Sequence, residues 1–215
     1  MINLFPLLLT TISGISTIIG YFLIFLKEKY EEKIIVFSLS FASGILLTIS
    51  IIQLIPESFH LLNNIKLFPK ILLLLIFFNL GIILIKIIHK IDSIKKKGSL
   101  YQLGILSMLA IILHNIPEGI TIAVPIYYST KSKKKAFLYT LISSLSEPLG
   151  AILTALFLEK YITKIILSGI LMITAAIMIE LSKEEFKESK NYNNKNLFKI
   201  SFLLGTIIMI LTSFI

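Results

Sequence analysis

Long apolar runs alternate with short polar stretches over the whole chain. In order, the runs cover about residues 3–26, 34–57, 66–88, 101–128, 136–158, 162–181 and 197–215, seven apolar segments in all. Each is near the roughly 20 residues that an α-helix needs to cross a hydrocarbon core about 30 Å thick. None shows the alternating ~10-residue segments of a membrane β-barrel. The pattern predicts an all-α polytopic membrane protein. The first run lacks a basic leading region and a small-residue cleavage site, so it is expected to remain as a span. Ser13, Gly14, Ser16 and Gly20 punctuate that run and favour close approach of a neighbouring helix. Ser38, Ser40, Ser43, Gly44, Thr48 and Ser50 give the second run a small, polar face. The third run is mostly Leu and Ile, with Pro69 tolerated in its first turn. Residues 182–196 mix Lys, Glu and Asn and read as a soluble connection.

Charge adds a topological constraint. All 21 basic residues are lysines, and the formal net charge is +9. The lysines sit in the short loops between apolar runs, where membrane topology places them, and this argues against nucleic acid as a partner. Seven single crossings would divide them almost evenly between the two sides, 10 against 11. If residues 101–128 instead start and end on one side, loops 27–33, 86–99, 129–135 and 183–199 share 17 lysines and the other side keeps 4. That arrangement reads as one transmembrane domain, 1–215, built from two three-helix units of opposite orientation, 1–98 and 131–215. A central motif segment, 99–130, lies between them, as in inverted-repeat transporters. At about 1.5 Å per residue, 28 residues supply one full crossing only. The central stretch is therefore a re-entrant pair of half-helices, one kinked span, or the remnant of a lost helix.

The chemistry concentrates in that stretch. Leu113-His114-Asn115-Ile116-Pro117-Glu118-Gly119 places an imidazole, a carboxamide and a carboxylate inside an apolar run. An ionisable side chain at the bilayer centre costs about 2.5–3.5 kcal/mol on insertion scales, so each one is a candidate functional group. His114 and Glu118 are four apart and Asn115 and Glu118 three apart, so one helical face can carry all three. Glu147 lies near the middle of the fifth run. No lysine lies mid-span to neutralise either carboxylate, which leaves a metal ion or a proton as the partner. Cys is absent, so any metal is held by nitrogen and oxygen, a donor set suited to zinc, ferrous iron or manganese. A proline accompanies a polar residue in three runs: Gln53 with Pro56, His114 with Pro117, Glu147 with Pro148. Each proline frees the carbonyl four residues earlier, those of Ile52, Leu113 and Ser144. Ser143, Ser144 and Ser146 could orient ligands. The plainer alternatives are an interhelical hydrogen bond for His114 and for Gln53, and a protonated structural carboxyl for Glu147. Glu57, His60, His89 and Glu180 lie near span ends, where solvation is the default.

At His114-Asn115-Ile116-Pro117-Glu118-Gly119 the chain resembles the ZIP (Zrt/Irt-like) family of divalent metal transporters, especially its bacterial zinc-uptake members. Ser40-Phe41-Ala42-Ser43-Gly44-Ile45 with Gln53-Leu54-Ile55-Pro56 resembles the family's second helix. Ser146-Glu147-Pro148-Leu149-Gly150 resembles its sixth, and Ile179-Glu180-Leu181 its seventh. The resemblance implies a bundle of three, two and three helices, usually dimeric, in a bacterial plasma membrane. It implies His114, Asn115, Glu118 and Glu147 as metal ligands, with Gln53 a candidate at the mouth of the path. Zinc or a similar ion would be the transported substrate, with no organic cofactor. Family members carry two such motifs, on the fourth and fifth helices, whereas this chain has one, as if its two central helices had merged. The family's His-rich cytosolic loop is also missing.

Three functions remain open at this point. The first is a permease moving a divalent ion into the cytosol down its gradient; no nucleotide-binding motif is present. The second is a non-transporting relative that binds metal or has a structural membrane role. The third, an intramembrane metalloenzyme, is the weakest, because HExxH is absent and Glu118 would have to serve as both ligand and base. The expectation is a transporter rather than an enzyme.

Overall fold

In the computed structural model, the described residues are 4–25, 31–92, 115–153, 156, 161, 163–192 and 194–212, and every regular element among them is helical. Helix α1, Leu4–Tyr21, tightens into a 3-10 turn at Phe22–Phe25. Helix α2, Glu31–Ile49, opens with Glu31 and Glu32, acidic residues that suit the positive end of the helix dipole. It continues through a π-helical turn, Ser50–Leu54, into α3, Ile55–Leu61. The wide turn has a local cause. Pro56 has no N–H and crowds the carbonyl one turn back. Hydrogen bonding shifts register beside it, so that the Ile55 N–H reaches the Ser50 carbonyl. The remaining helices are α4, Leu67–Asp92; α5, Asn115–Thr130; α6, Lys133–Leu153; α7, Lys164–Lys190; and α8, Lys195–Thr212. Thr163 caps α7, its hydroxyl accepting from the Ile166 N–H at 3.2 Å.

With α2, the π turn and α3 counted as one rod, the described residues form seven helical rods, one overlapping each of the seven apolar runs. Among the described residues, three stretches are long and apolar enough to cross a membrane: Glu31–Leu61, Leu67–Ile87 and Lys164–Lys190. The protein is an all-α membrane protein. One boundary is corrected. The sixth run was expected to end at residue 181 and give way to a soluble connection, but α7 continues to Lys190. Ser182, Glu185 and Ser189 on this extension are buried.

The helices form two groups that meet along α2 and α5. In one, α1 lies between α5 and α6. In the other, α2 lies against α7 and α8, and α4 packs on α7. An apolar cluster joins the groups: Tyr21 and Ile24 of α1 with the turn after it, Ile35 and Leu39 of α2, and Val124 and Ile126 of α5. A second cluster ties Leu46 and Ile49 of α2 to Ile85 of α4 and to Met178 and Leu181 of α7.

The lysine-bearing loops gather at one end. Lys131 after α5 pairs with Glu31 at the start of α2 at 2.5 Å. The Lys133 ammonium sits 4.7 Å over the Phe25 ring. Tyr192, between α7 and α8, is half-buried beside the same surface; burial, and then the charges of Glu188, Glu31 and Glu32, push its phenol up from its ordinary value. Helix α4 ends at this same end. It runs parallel to α7, because the Phe77 ring fills the space at Gly169 while Gly81 rests on Ile173 and Ala176. The opposite end holds the α3–α4 turn and the start of α7, joined where the Ser168 hydroxyl donates to the Ser58 carbonyl at 2.7 Å. The described ends of α4 and α5, Asp92 and Thr130, therefore lie at the same end of the bundle. Residues 93–114, which hold much of the central stretch and His114, lie outside the described residues.

Candidate metal centre

Glu147 is the carboxylate that sequence and structure agree in placing deep. It is 9% exposed, on the face of α6 that packs against α1. Fourteen residues separate it from Lys133 at the lysine-rich end, about 21 Å at 1.5 Å per residue. That depth is well inside a hydrocarbon core of about 30 Å. The Thr17 hydroxyl, fully buried on α1, donates to Glu147 Oε1 at 3.3 Å. The two helices are antiparallel at this point. Helical side chains lean toward their own N-termini. Thr17 and Glu147, whose backbones are offset along the bundle, therefore lean toward each other.

The close approach of α1 and α6 begins one turn away. A Cβ on Gly14 would strike the Ser144 carbonyl oxygen, so only glycine fits there. Pro148 lies inside α6, four residues after Ser144, and cannot donate to that carbonyl. The carbonyl that the proline leaves without a helical donor is the one laid against Gly14. The Ser144 hydroxyl completes the clasp by donating to the Gly14 carbonyl at 2.6 Å.

Helix α5 docks on the same part of α1. A Cβ on Gly119 would overlap the Thr17 carbonyl oxygen and approach the Gly20 Cα at 3.3 Å. Gly119 ends the His114-to-Gly119 motif, so the backbone of the motif and the hydroxyl holding Glu147 meet at one residue, Thr17. Of the small residues expected to let a helix approach the first span, Ser13, Gly14, Ser16 and Gly20, the two glycines lie at these contacts.

The remaining candidates are placed as follows. Asn115 and Glu118 lie in the first turn of the described part of α5, with Pro117 between them. His114 lies just before it, outside the described residues. Gln53 is not brought to this junction: its side chain is exposed on the π turn, which packs with α2, α3 and α7. The serines after α6's midpoint differ from expectation in part. Ser144 and Ser146 donate to main-chain carbonyls, those of Gly14 and Ser143, rather than toward a ligand. Thr17 carried no signal in sequence beyond lying three residues after Gly14, on the same helical face.

A helical membrane bundle with a carboxylate buried at mid-depth is the arrangement of a polytopic membrane protein that carries a functional group inside it. A sequence model of the family described as "ZIP Zinc transporter" matches residues 98–213. The chain is 30% identical to the zinc transporter ZupT of Streptococcus mutans, over 94% of this chain and 94% of that protein. It is 31% identical to the zinc transporter ZupT of Salmonella newport, over 95% and 94% respectively. It is 27% identical to the zinc transporter ZupT of Chlorobaculum parvum, over 98% and 96%. No solved structure matches. The chain belongs to the ZIP zinc transporter family, as the motif at His114 led us to expect. That membership sets it among transporters, not enzymes.

Proposed function

We propose that this protein is a multi-pass permease of a bacterial plasma membrane that passes divalent metal, zinc first, into the cytosol. His114, Asn115, Glu118 and Glu147 are the ligands that replace the ion's hydration shell at mid-depth. Their nitrogen and oxygen donors suit zinc, with ferrous iron or manganese as secondary cargo. The lysine-rich end faces the cytosol, as the positive-inside rule requires. Residues 1–98 and 131–215 are the two inverted units, with 99–130 turning back between them, and the working form is a homodimer.

The observation that carries this reading is the junction at Thr17. It seats the backbone of Gly119 and bonds the buried Glu147, so the single motif and the distant carboxylate share one stretch of α1. Zinc uptake into liposomes containing the purified protein tests it, with Glu118→Ala and Glu147→Ala beside the native chain. The native chain loads zinc and both variants stay at the level of empty liposomes. Native uptake equal to that of empty liposomes overturns the reading.

A further inference from the structure

We propose that Thr17 is a positioning residue for transport: its hydroxyl sets the rotation of the Glu147 carboxylate and thereby the affinity for the ion. This rests on Glu147 being a metal ligand, as proposed above, and adds a residue that lies outside every motif.

Threonines inside apolar helices commonly turn their hydroxyl back to the carbonyl of the preceding turn. Thr48, Thr130 and Thr140 do so, donating to Gly44, Ile126 and Ala136 at 2.6, 2.6 and 2.9 Å. The Thr17 hydroxyl crosses a helix interface to a residue 130 positions away. Its acceptor is one carboxylate oxygen, Oε1, and a bond to one oxygen resists rotation of the whole group. The donor is also fixed. Thr17 is fully buried, its carbonyl lies under Gly119, and its helix is clamped to α6 one turn away by Ser144 on Gly14. The hydroxyl thus sits on a rigid stretch of α1 whose position α5 and α6 both determine. A carboxylate held this way offers its ligand atoms in one orientation, and partners that orient a ligand strengthen metal binding. In a low-dielectric site a hydroxyl bonded to an ionised carboxylate is also stronger than a neutral pair.

Thr17→Val keeps the shape and β-branching and removes the donor; Thr17→Ser keeps the donor. The readouts are the zinc dependence of uptake in liposomes and zinc binding to the purified protein by calorimetry, with zinc alone as ligand. Thr17→Val raises both the half-saturating concentration and the dissociation constant about ten-fold, as expected for losing a bond to a charged group, while the maximal rate per folded molecule is retained. Thr17→Ser restores both to within about twofold of the native values. On a Glu147→Ala background, Thr17→Val adds no further loss of binding. Three results overturn the proposal: an unchanged affinity in Thr17→Val, a loss confined to the amount of folded protein, or an equal loss on the Glu147→Ala background. If the native protein binds zinc without transporting it, the permease reading falls and the binding comparison still decides the role of Thr17.

Discussion

Two seams hold this bundle together, and they spend their polar groups differently. Where α2 meets α7, Ser43 and Ser182 each donate to the other's carbonyl at 2.9 Å, and their hydroxyls lie 3.0 Å apart. Where α2 meets α8, Gly44 rests on the Phe202 carbonyl and Gly205 on the Phe41 carbonyl, a reciprocal close approach. These bonds run between uncharged groups, and the Ser43–Ser182 pair is reciprocal. Where α1 meets α5 and α6, the same devices recur, with glycine against carbonyl and serine hydroxyl to backbone. One bond is different: Thr17 donates to a carboxylate. The first seam is closed upon itself and serves stability. The second is built with the same close packing around an ionisable carboxyl, a group that the bilayer penalises and that marks a candidate functional position.

Substitutions that separate the two seams can break or sharpen this contrast. The largest effect is expected at Glu147→Ala, which loses about 100-fold or more of zinc uptake while the protein still elutes as a folded species. Next is Gly119→Ala, whose methyl meets the Thr17 carbonyl; overpacking of this kind costs about 1–3 kcal/mol. Uptake per folded molecule falls with it, since α5 must move off α1. Gly44→Ala, with the same clash against Phe202, lowers the thermal transition by a similar amount and leaves uptake per folded molecule intact. The double variant Ser43→Ala, Ser182→Ala costs about 1 kcal/mol, since interhelical bonds in membranes average about 0.6 kcal/mol. Thermal unfolding in detergent measures that loss, and the half-saturating zinc concentration stays at the native value. The smallest effect is at Gly150→Ala. A Cβ there meets nothing within 4 Å, so stability and transport match the native protein. A loss at Gly150→Ala would show that a surface beyond the single chain uses that position.

Much of this was legible in the chain itself. Apolar length marks the spans, because the bilayer imposes one thickness on all of them. The lysine distribution groups loops 27–33, 86–99, 129–135 and 183–199, and among the described residues Glu31, Lys131 and Tyr192 lie together at one end. Pro148 identified the Ser144 carbonyl before the contact with Gly14 was known. Other features depend on contacts that no local pattern encodes. Thr17 and Glu147 are 130 residues apart, and a threonine in an apolar run looks the same whether it bonds its own helix or another. The extension of α7 was hidden by composition, as Lys and Glu dominate residues 183–190. The helical spacing was nevertheless present: Met178, Ser182, Glu185 and Ser189 recur every three or four residues and are all buried. Gln53 was grouped with the other candidates because it precedes a proline as they do. The π turn instead leaves its side chain on the outer surface of the bundle, among the apolar side chains of Ile51 and Ile52.

The contrast between the seams is tested most directly by one paired measurement: the initial rate of zinc uptake into liposomes, per folded molecule, for Glu147→Ala and for the Ser43→Ala, Ser182→Ala double variant. Uptake lost in the first and native-like in the second is the predicted result. Native-like uptake in Glu147→Ala, or equal losses in both, would contradict the placement of the metal path at the junction of α1, α5 and α6.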